Sequence, residues 1–151
     1  MTPGNHSDAY FMKEALKQAR ISYEENEIPV GCVVVCNNRI VAKAYNQVEK
    51  LNDSTAHAEM IALTSAFHYL GAKYLQECAI YVTLEPCIMC GGAIQWAQVG
   101  KLVYGAPDPI KGYTRIGKNI LHPKTQVISN ILSEECKQII DKFFIKVRNQ
   151  N

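Results

Sequence analysis

The sequence contains no long apolar run. The longest, Val30 to Cys36, falls far short of the roughly 20 residues that a membrane-spanning helix needs. The first four residues also lack the basic region of a signal peptide. These two absences predict a cytoplasmic protein with no membrane segment.

Internal repeats, low-complexity segments and linkers rich in glycine, serine or proline are also missing. The length of 151 residues is usual for one domain, and a hydrophobic content of 48% provides enough side chains for one core. We therefore expect a single domain spanning residues 1–151.

Six cysteines are present, but without an export signal they are not expected to form disulfides, because cytosolic thiols are normally kept reduced. Metal ligands and buried free thiols are the better interpretations. Cys32 and Cys36 lie in the apolar run, which resembles a central strand, and are predicted to be buried free thiols.

Charge is unevenly divided along the chain. Residues 1–100 carry 7 basic and 10 acidic side chains, whereas residues 101–151 carry 9 and 4. A basic C-terminal third can bind polyanions, since lysine and arginine release counterions when they neutralise phosphates. A solvated helix face explains the same pattern equally well.

Hydrophobic periodicity predicts four helices, and short apolar runs between them predict five strands. Residues 106–124 show no clear hydrophobic period. They are expected to form a long loop, either alone or around a short helix. This order predicts an α/β protein, a three-layer α/β/α sandwich with a central five-stranded mixed sheet. The predicted elements are helix Ser7–Glu24, strands Val30–Cys36 and Arg39–Tyr45, helix Ala56–Leu70, strand Ala79–Leu84, helix Pro86–Gln98, strands Lys101–Gly105 and Gln126–Ser129, and a last helix that Ser133 opens and that runs to the C-terminus.

The residues with the clearest chemistry open two of the predicted helices. The segment His57–Glu59 opens one, and the segment Pro86–Cys90 opens the next. Two helix N-termini can converge on one ion, and their dipoles favour thiolates. His57, Cys87 and Cys90 are three ligands, the number typical of a catalytic zinc that keeps a fourth position for water.

Glu59 is the predicted catalytic residue. It follows His57 by two positions, which places it near the ion without binding it, as a general acid and base for zinc-activated water requires. A redox Cys-x-x-Cys would have no use for the His-x-Glu pair. A structural zinc would need a fourth protein ligand, and neither Cys32 nor Cys36 is obviously that ligand.

Together these motifs resemble the signature of the zinc deaminases of the cytidine deaminase-like superfamily. Cytidine deaminases mostly have cysteine in place of His57, and riboflavin-pathway deaminases separate the two cysteines by more residues, so both branches are disfavoured. Over nearly its whole length the chain is most similar to TadA-type bacterial tRNA-specific adenosine deaminases. The stretches that carry this similarity are Ile28–Gly31, Asn46, Thr55–Glu59, Thr83–Cys87, Tyr104–Ala106, Asp108, Phe143–Phe144 and Arg148.

The resemblance implies hydrolytic deamination of adenosine to inosine at the wobble position of a tRNA anticodon. It implies one zinc per subunit of a homodimer, and a target base flipped into a pocket where Asn46 hydrogen-bonds the purine. Backbone groups of Ala58 and Cys87 would meet the substrate edge and the developing charge. The substrate-binding residues implied are Asn46, Ala58, Pro29, Asp108 and Phe144. Without the resemblance, Asn46 is more simply a polar residue that ends a strand.

After Asp108 the sequence departs from the common pattern of this branch, because the segment 109–115 replaces a stretch of small residues. Its basic and aromatic side chains suit a nucleic-acid channel, although an ordinary surface loop has similar composition. These side chains, with one residue beyond the segment, are Lys111, Tyr113, Arg115 and Lys118. His68 and His122 have no spaced partner and are expected to be structural.

Two other functions remain open. A free-base deaminase acting on guanine or cytosine shares the zinc motif. A non-catalytic zinc- or RNA-binding partner subunit is the second alternative, but such a subunit would need no proton shuttle, so Glu59 argues against it.

Overall fold

A five-stranded mixed sheet forms the centre of the protein, which a computed structural model describes over residues 5–150. The spatial order of the strands is β2-β1-β3-β4-β5. Strand β1 runs antiparallel to β2 and β3, whereas β3, β4 and β5 are parallel, which confirms the predicted hairpin and the parallel pair. The strands are β1 (Gly31–Cys36), β2 (Arg39–Tyr45), β3 (Cys78–Leu84), β4 (Lys101–Ala106) and β5 (Gln126–Ile128).

Helices cover both faces of the sheet, so the three-layer α/β/α prediction is confirmed. Helices α1 and α5 pack on one face, and α3 and α4 pack on the other. Between residues 5 and 150, no helix is long and apolar enough to cross a membrane. The helices are α1 (Asp8–Glu24), α2 (Val48–Leu51), α3 (Ala58–Leu70), α4 (Ile88–Ala97) and α5 (Ser133–Asn149).

Strand β1 is buried on both faces because its side chains alternate between the two layers. Val33 and Val35 contribute to the cluster under α1, whereas Cys32 and Val34 contribute to the cluster under α3 and α4. Helix α1 approaches the beginning of β1 so closely that a Cβ on Gly31 would lie 1.9 Å from the carbonyl oxygen of Ala15. The close packing of α1 therefore depends on glycine at position 31.

Several element boundaries differ from the sequence predictions. Pro86 does not lie in the first turn of α4, because Cys87 caps that helix in an extended conformation and the helix begins at Ile88. The last helix begins at Ser133 as predicted, and Leu132 holds the cap position with a left-handed φ of 55°. The one-turn helix α2 has too few residues for a hydrophobic period and was missed.

The predictions for the loop between β4 and β5 and for the free cysteines agree better with the structure than the predicted element boundaries do. The segment between β4 and β5 contains two short 3-10 turns, Tyr113–Arg115 and Lys118–Ile120. All six cysteines are free. Cys32 is buried as predicted, whereas Cys36 is only partly buried, because it lies at the end of β1.

Candidate functional site

One edge of the sheet collects the segments that carry the predicted site residues. Strands β3 and β4 end at this edge, with Leu84 opposite Ala106. Strand β1 begins there and β2 ends there, because β1 is antiparallel to both of its neighbours. The segments before β1 and after β2, β3 and β4 therefore meet at one place, as is common for binding sites of α/β sheets.

His57, Cys87 and Cys90 form a compact cluster at this edge. His57 caps α3, Cys87 caps α4 and Cys90 lies in the first turn of α4. The Nδ1 atom of His57 lies 3.6 Å from Sγ of Cys87 and 3.5 Å from Sγ of Cys90. Within residues 5–150, this is the one group of three or more His, Cys, Asp or Glu residues with ligand atoms close enough to share a metal ion.

The spacing of these atoms fits zinc. A tetrahedral ion with bonds of about 2.0 Å to nitrogen and about 2.3 Å to sulfur holds its nitrogen and sulfur ligands about 3.5 Å apart. Both distances from His57 agree with this value. The cluster thus supplies three tetrahedral ligands, which is the set typical of catalytic zinc and leaves one position for water or substrate.

The electrostatics of the cluster favour a thiolate. A hydrogen bond from Cys90 is the largest cause that lowers the pKa of Cys87 to about 3, and the hydrogen bond with His57 lowers it further. The same hydrogen bond to Cys87, together with burial, raises the pKa of Cys90. Cys87 is therefore the more readily ionised of the two thiols, and binding of a metal to both sulfurs would release protons.

Glu59 lies beside the cluster in the first turn of α3, and it is only 4% exposed. Burial raises the pKa of its carboxyl group to about 7. The carboxyl is within hydrogen-bonding reach of its own backbone N–H and of the Cys90 thiol. A carboxyl group that is about half protonated at neutral pH can both accept and donate a proton.

Asn46 follows β2 and is buried at the same edge. Its Nδ2 donates to the carbonyl oxygen of Ile28 at 3.1 Å, and its backbone N–H donates to the carbonyl oxygen of Val30. Its Oδ1 is buried and has no hydrogen-bond partner among the described residues. Because an unsatisfied buried acceptor costs about 1–3 kcal/mol, this oxygen is suited to accept a hydrogen bond from a ligand.

The other predicted substrate residues lie in different surroundings. Pro29 is buried just before β1, and Ala58 is buried as the first residue of α3. Asp108 is partly buried, and its Oδ1 accepts hydrogen bonds from the backbone of Ile110 and Lys111, so it shapes its own turn. Phe144 is 43% exposed on α5, which packs on the face of the sheet away from α3 and α4.

One predicted nucleic-acid contact is wrong. Tyr113 is 2% exposed and joins the core under α3 and α4, with its Cβ close to Gly91, so its ring cannot stack on a base. Lys111, Arg115 and Lys118 are exposed, as a contact with phosphate requires. Lys111 directly precedes Gly112, whose backbone pairs with the metal-ligand residue Cys87.

The two histidines that the sequence predicts to be structural, His68 and His122, both lie outside the cluster. His122 accepts a hydrogen bond from the backbone N–H of Lys124 through Nδ1 and so stabilises a turn. His68 lies exposed in the last turn of α3, where a histidine is favourable to the helix dipole. Both positions agree with a structural role.

Two buried glutamates were not identified as part of the site from the sequence. Glu27 accepts hydrogen bonds from the backbone N–H groups of Glu49 and Lys50, at the first turn of α2. Glu85, directly after β3, accepts hydrogen bonds from the backbone of Asp108 and Thr114. The one available signal was the position of Glu85 between the apolar strand and the metal-ligand segment.

Comparison with known proteins identifies relatives of this chain. Residues 5–106 match the family described as the cytidine and deoxycytidylate deaminase zinc-binding region. A tRNA-specific adenosine deaminase of Aquifex aeolicus is 40% identical over 146 residues, which cover 93% of this chain and 95% of that protein.

Two solved structures are informative neighbours. One, from studies of A-to-I editing by tRNA:A34 deaminases at the wobble position of transfer RNA, is 38% identical with a TM-score of 0.81, covering 86% of this chain and 98% of that one. The other, guanine deaminase from Bacillus subtilis, is also 38% identical, but its TM-score is 0.65 and it covers 68% of this chain and 66% of that one.

We expect Cys87→Ala to lose bound zinc and to unfold at a lower temperature, because ligand loss removes the coupling between metal binding and folding. Metal analysis and thermal unfolding of the purified protein would measure both effects. Cys36→Ala, a partly buried cysteine outside the cluster, is the matched control and should keep one zinc per chain. A folded Cys87→Ala protein that retained its zinc would remove Cys87 from the ligand set.

Proposed function

Since this chain belongs to the cytidine and deoxycytidylate deaminase zinc-binding family, we propose that it deaminates adenosine to inosine at the wobble position of a tRNA anticodon. The family makes the chain a zinc-dependent hydrolytic deaminase. The resemblance to tRNA-specific adenosine deaminases noted in the sequence is confirmed by relatives of about 40% identity over most of the chain.

The observation that supports this substrate most strongly is the extent of the match. The tRNA-specific relative from Aquifex aeolicus aligns with nearly all of both chains. The guanine deaminase aligns with about two thirds of both chains, with the lower TM-score. Since the two solved structures are equally identical in sequence, the difference in coverage favours the tRNA substrate.

The residues present suggest how the reaction proceeds. His57, Cys87 and Cys90 would hold zinc, which would supply Lewis-acid activation of a water molecule. Glu59 would accept a proton from the water that attacks C6 of adenine and deliver it to N1 of the ring. Glu59 would then carry the proton of the new C6 hydroxyl group to the amino group, which leaves as ammonia. The pKa of about 7 suits the carboxyl group to both directions of transfer.

Substrate recognition is proposed for the residues around the cluster. Asn46 would use its free Oδ1 to accept a hydrogen bond from the bound nucleoside, because its Nδ2 is already held by the carbonyl oxygen of Ile28. Pro29 and Ala58 would line the base, and the backbone N–H groups at the start of α4 would face developing negative charge. Asp108 and Phe144 are proposed contacts to the flanking RNA.

A tRNA partner also agrees with the distribution of charge. The exposed Lys111, Arg115 and Lys118 lie in the segment that follows β4 at the site edge of the sheet. Phosphate contacts by lysine and arginine supply much of the affinity of RNA-binding proteins. We propose that one domain comprising residues 1–151 performs this reaction in the cytoplasm, where tRNA is available.

The protein is proposed to act as a homodimer. Helix α4 begins at the metal cluster and exposes two large apolar side chains, Ile88 at 51% and Trp96 at 79%. Exposed apolar groups of this size are common in subunit interfaces. A dimer through α4 would place the partner subunit close to the pocket.

Sedimentation velocity at micromolar concentration is expected to report a dimer, and Trp96→Glu should shift the distribution toward monomer by placing a charge in the apolar contact. Tyr69→Glu, which changes another highly exposed aromatic residue on a different helix, is the comparison variant. A wild-type monomer at this concentration would contradict the proposed assembly.

Free-base deamination is the second candidate, favoured by the 38% identity to guanine deaminase. The zinc-loaded protein should therefore be offered an adenosine-bearing anticodon stem-loop, guanine, cytosine and free adenosine in parallel, with ammonia and inosine measured. We expect turnover of the stem-loop, and its rate at subsaturating concentration should fall as salt is raised because phosphate contacts are screened. Turnover of guanine or cytosine alone would replace the proposed substrate with a free base.

We expect Glu59→Gln to retain one zinc per chain and to lose at least about a hundredfold in kcat, since the amide cannot transfer protons. Single-turnover assays with metal analysis would separate the two effects. Glu77→Gln changes an exposed glutamate and should behave as the wild type. Zinc loss in Glu59→Gln would instead identify Glu59 as a ligand.

A further inference from the structure

We propose that Glu85 is a positioning residue for the RNA-binding wall of the pocket. The wall is the segment 108–114, which follows β4 and lies against the turn that supplies Cys87. This inference rests on the proposed tRNA substrate. It assigns a function to a buried carboxylate that takes no part in metal binding or proton transfer.

Both oxygens of Glu85 are used to hold this wall. Oε1 accepts a hydrogen bond from the backbone N–H of Asp108 at 3.0 Å. Oε2 accepts from the backbone N–H of Thr114 at 3.0 Å and from its hydroxyl group at 2.7 Å. Glu85 is only 4% exposed, and a buried carboxylate requires such donors to offset its desolvation. The two ends of the wall are therefore joined through one side chain.

The wall is also a compact turn attached to the metal-ligand segment. The carbonyl oxygen of Asp108 accepts a hydrogen bond from the N–H of Gly112 at 2.9 Å, which closes the turn. Gly112 forms an isolated β-bridge with Cys87, and the N–H of Tyr113 donates to the carbonyl oxygen of Pro86 at 2.9 Å. Glu85 thus holds the two ends of the wall. The backbone of Pro86 and Cys87 holds Gly112 and Tyr113, which lie between those ends.

Gly112 provides independent evidence for a close fit. A Cβ at this position would lie 2.1 Å from Oε2 of Glu85 and 2.5 Å from the carbonyl oxygen of Asp108. Its φ of −64° is accessible to any residue, so the requirement for glycine comes from space and not from backbone conformation. The carboxylate and the turn are packed against each other without room for a methyl group.

The wall presents side chains that suit RNA. Lys111 and Ile110 are exposed at its tip, and Lys111 directly precedes Gly112, which pairs with the metal-ligand residue Cys87. A lysine at the rim of a base-binding site is placed to contact a phosphate next to the flipped nucleotide. Movement of the wall would displace this lysine.

Glu85→Gln tests the assignment because it preserves the size of the side chain. An amide has one oxygen, so its NH₂ group must face either the N–H of Asp108 or the donors of Thr114. We expect one zinc per chain, kcat within about threefold of the wild type, and a KM for the anticodon stem-loop raised about tenfold, as loss of a charged hydrogen bond produces. Assays would be run below the unfolding temperature of each variant.

Thr114→Val is the milder second variant, since it removes only the hydroxyl donor to Oε2. Its KM should rise by less than that of Glu85→Gln. The double variant should raise KM by less than the two single effects combined, because both changes act on hydrogen bonds of the same side chain. Glu77→Gln, on an exposed glutamate, is the matched control and should leave KM unchanged.

The outcomes separate this inference from the function on which it rests. A wild-type protein that leaves the stem-loop unmodified refutes the tRNA function and the RNA-binding role together. A wild-type protein that edits the stem-loop, with an unchanged KM in Glu85→Gln, refutes only the role of Glu85 and leaves it structural. If Glu85→Gln lost zinc, or lost kcat with an unchanged KM, Glu85 would position the turn that supplies Cys87 and not the wall. That outcome would also refute the inference.

Discussion

The site depends on the meeting of two helix N-termini, those of α3 and α4, on the same face and at the same edge of the sheet. His57 and Cys87 are the caps of these helices, and Cys90 lies in the first turn of α4. Neither helix alone offers a tetrahedral set, and the 3.5–3.6 Å spacing between His57 and the two sulfurs exists only because both helices pack on the same strands. The proposed proton transfer by Glu59 and the proposed base recognition by Asn46 both depend on this contact.

Three buried glutamates at this edge perform different tasks because their surroundings differ. Glu59 lies in the first turn of α3, and burial raises its pKa to about 7, so the group can exchange a proton. Glu27 and Glu85 instead accept several backbone hydrogen bonds and hold α2 and the segment after β4. The same side chain is an acid–base group where donors are few and a structural tether where they are several.

Much of the fold could be predicted because the sequence is locally consistent. The apolar spacing of α1, the β-branched run of β1 and the Gly71 stop of α3 are local signals, and all three were correct. Local signals are weaker where a turn or cap is set by distant contacts. Helix α2 is stabilised by the carboxylate of Glu27, more than twenty residues earlier in the chain, and no periodicity could reveal it.

By itself, the sequence determined the metal-ligand set and the neighbouring Glu59, because a zinc site with an adjacent proton shuttle needs particular side chains at particular helical positions. Tertiary structure alone decided which polar groups are buried and which surface the loop after β4 presents. It removed Tyr113 from the surface, exposed Lys111, left Oδ1 of Asn46 without a partner and joined Glu85 to Thr114. Burial and hydrogen bonding between residues distant in the chain depend on how the layers pack, and local sequence does not encode that packing directly.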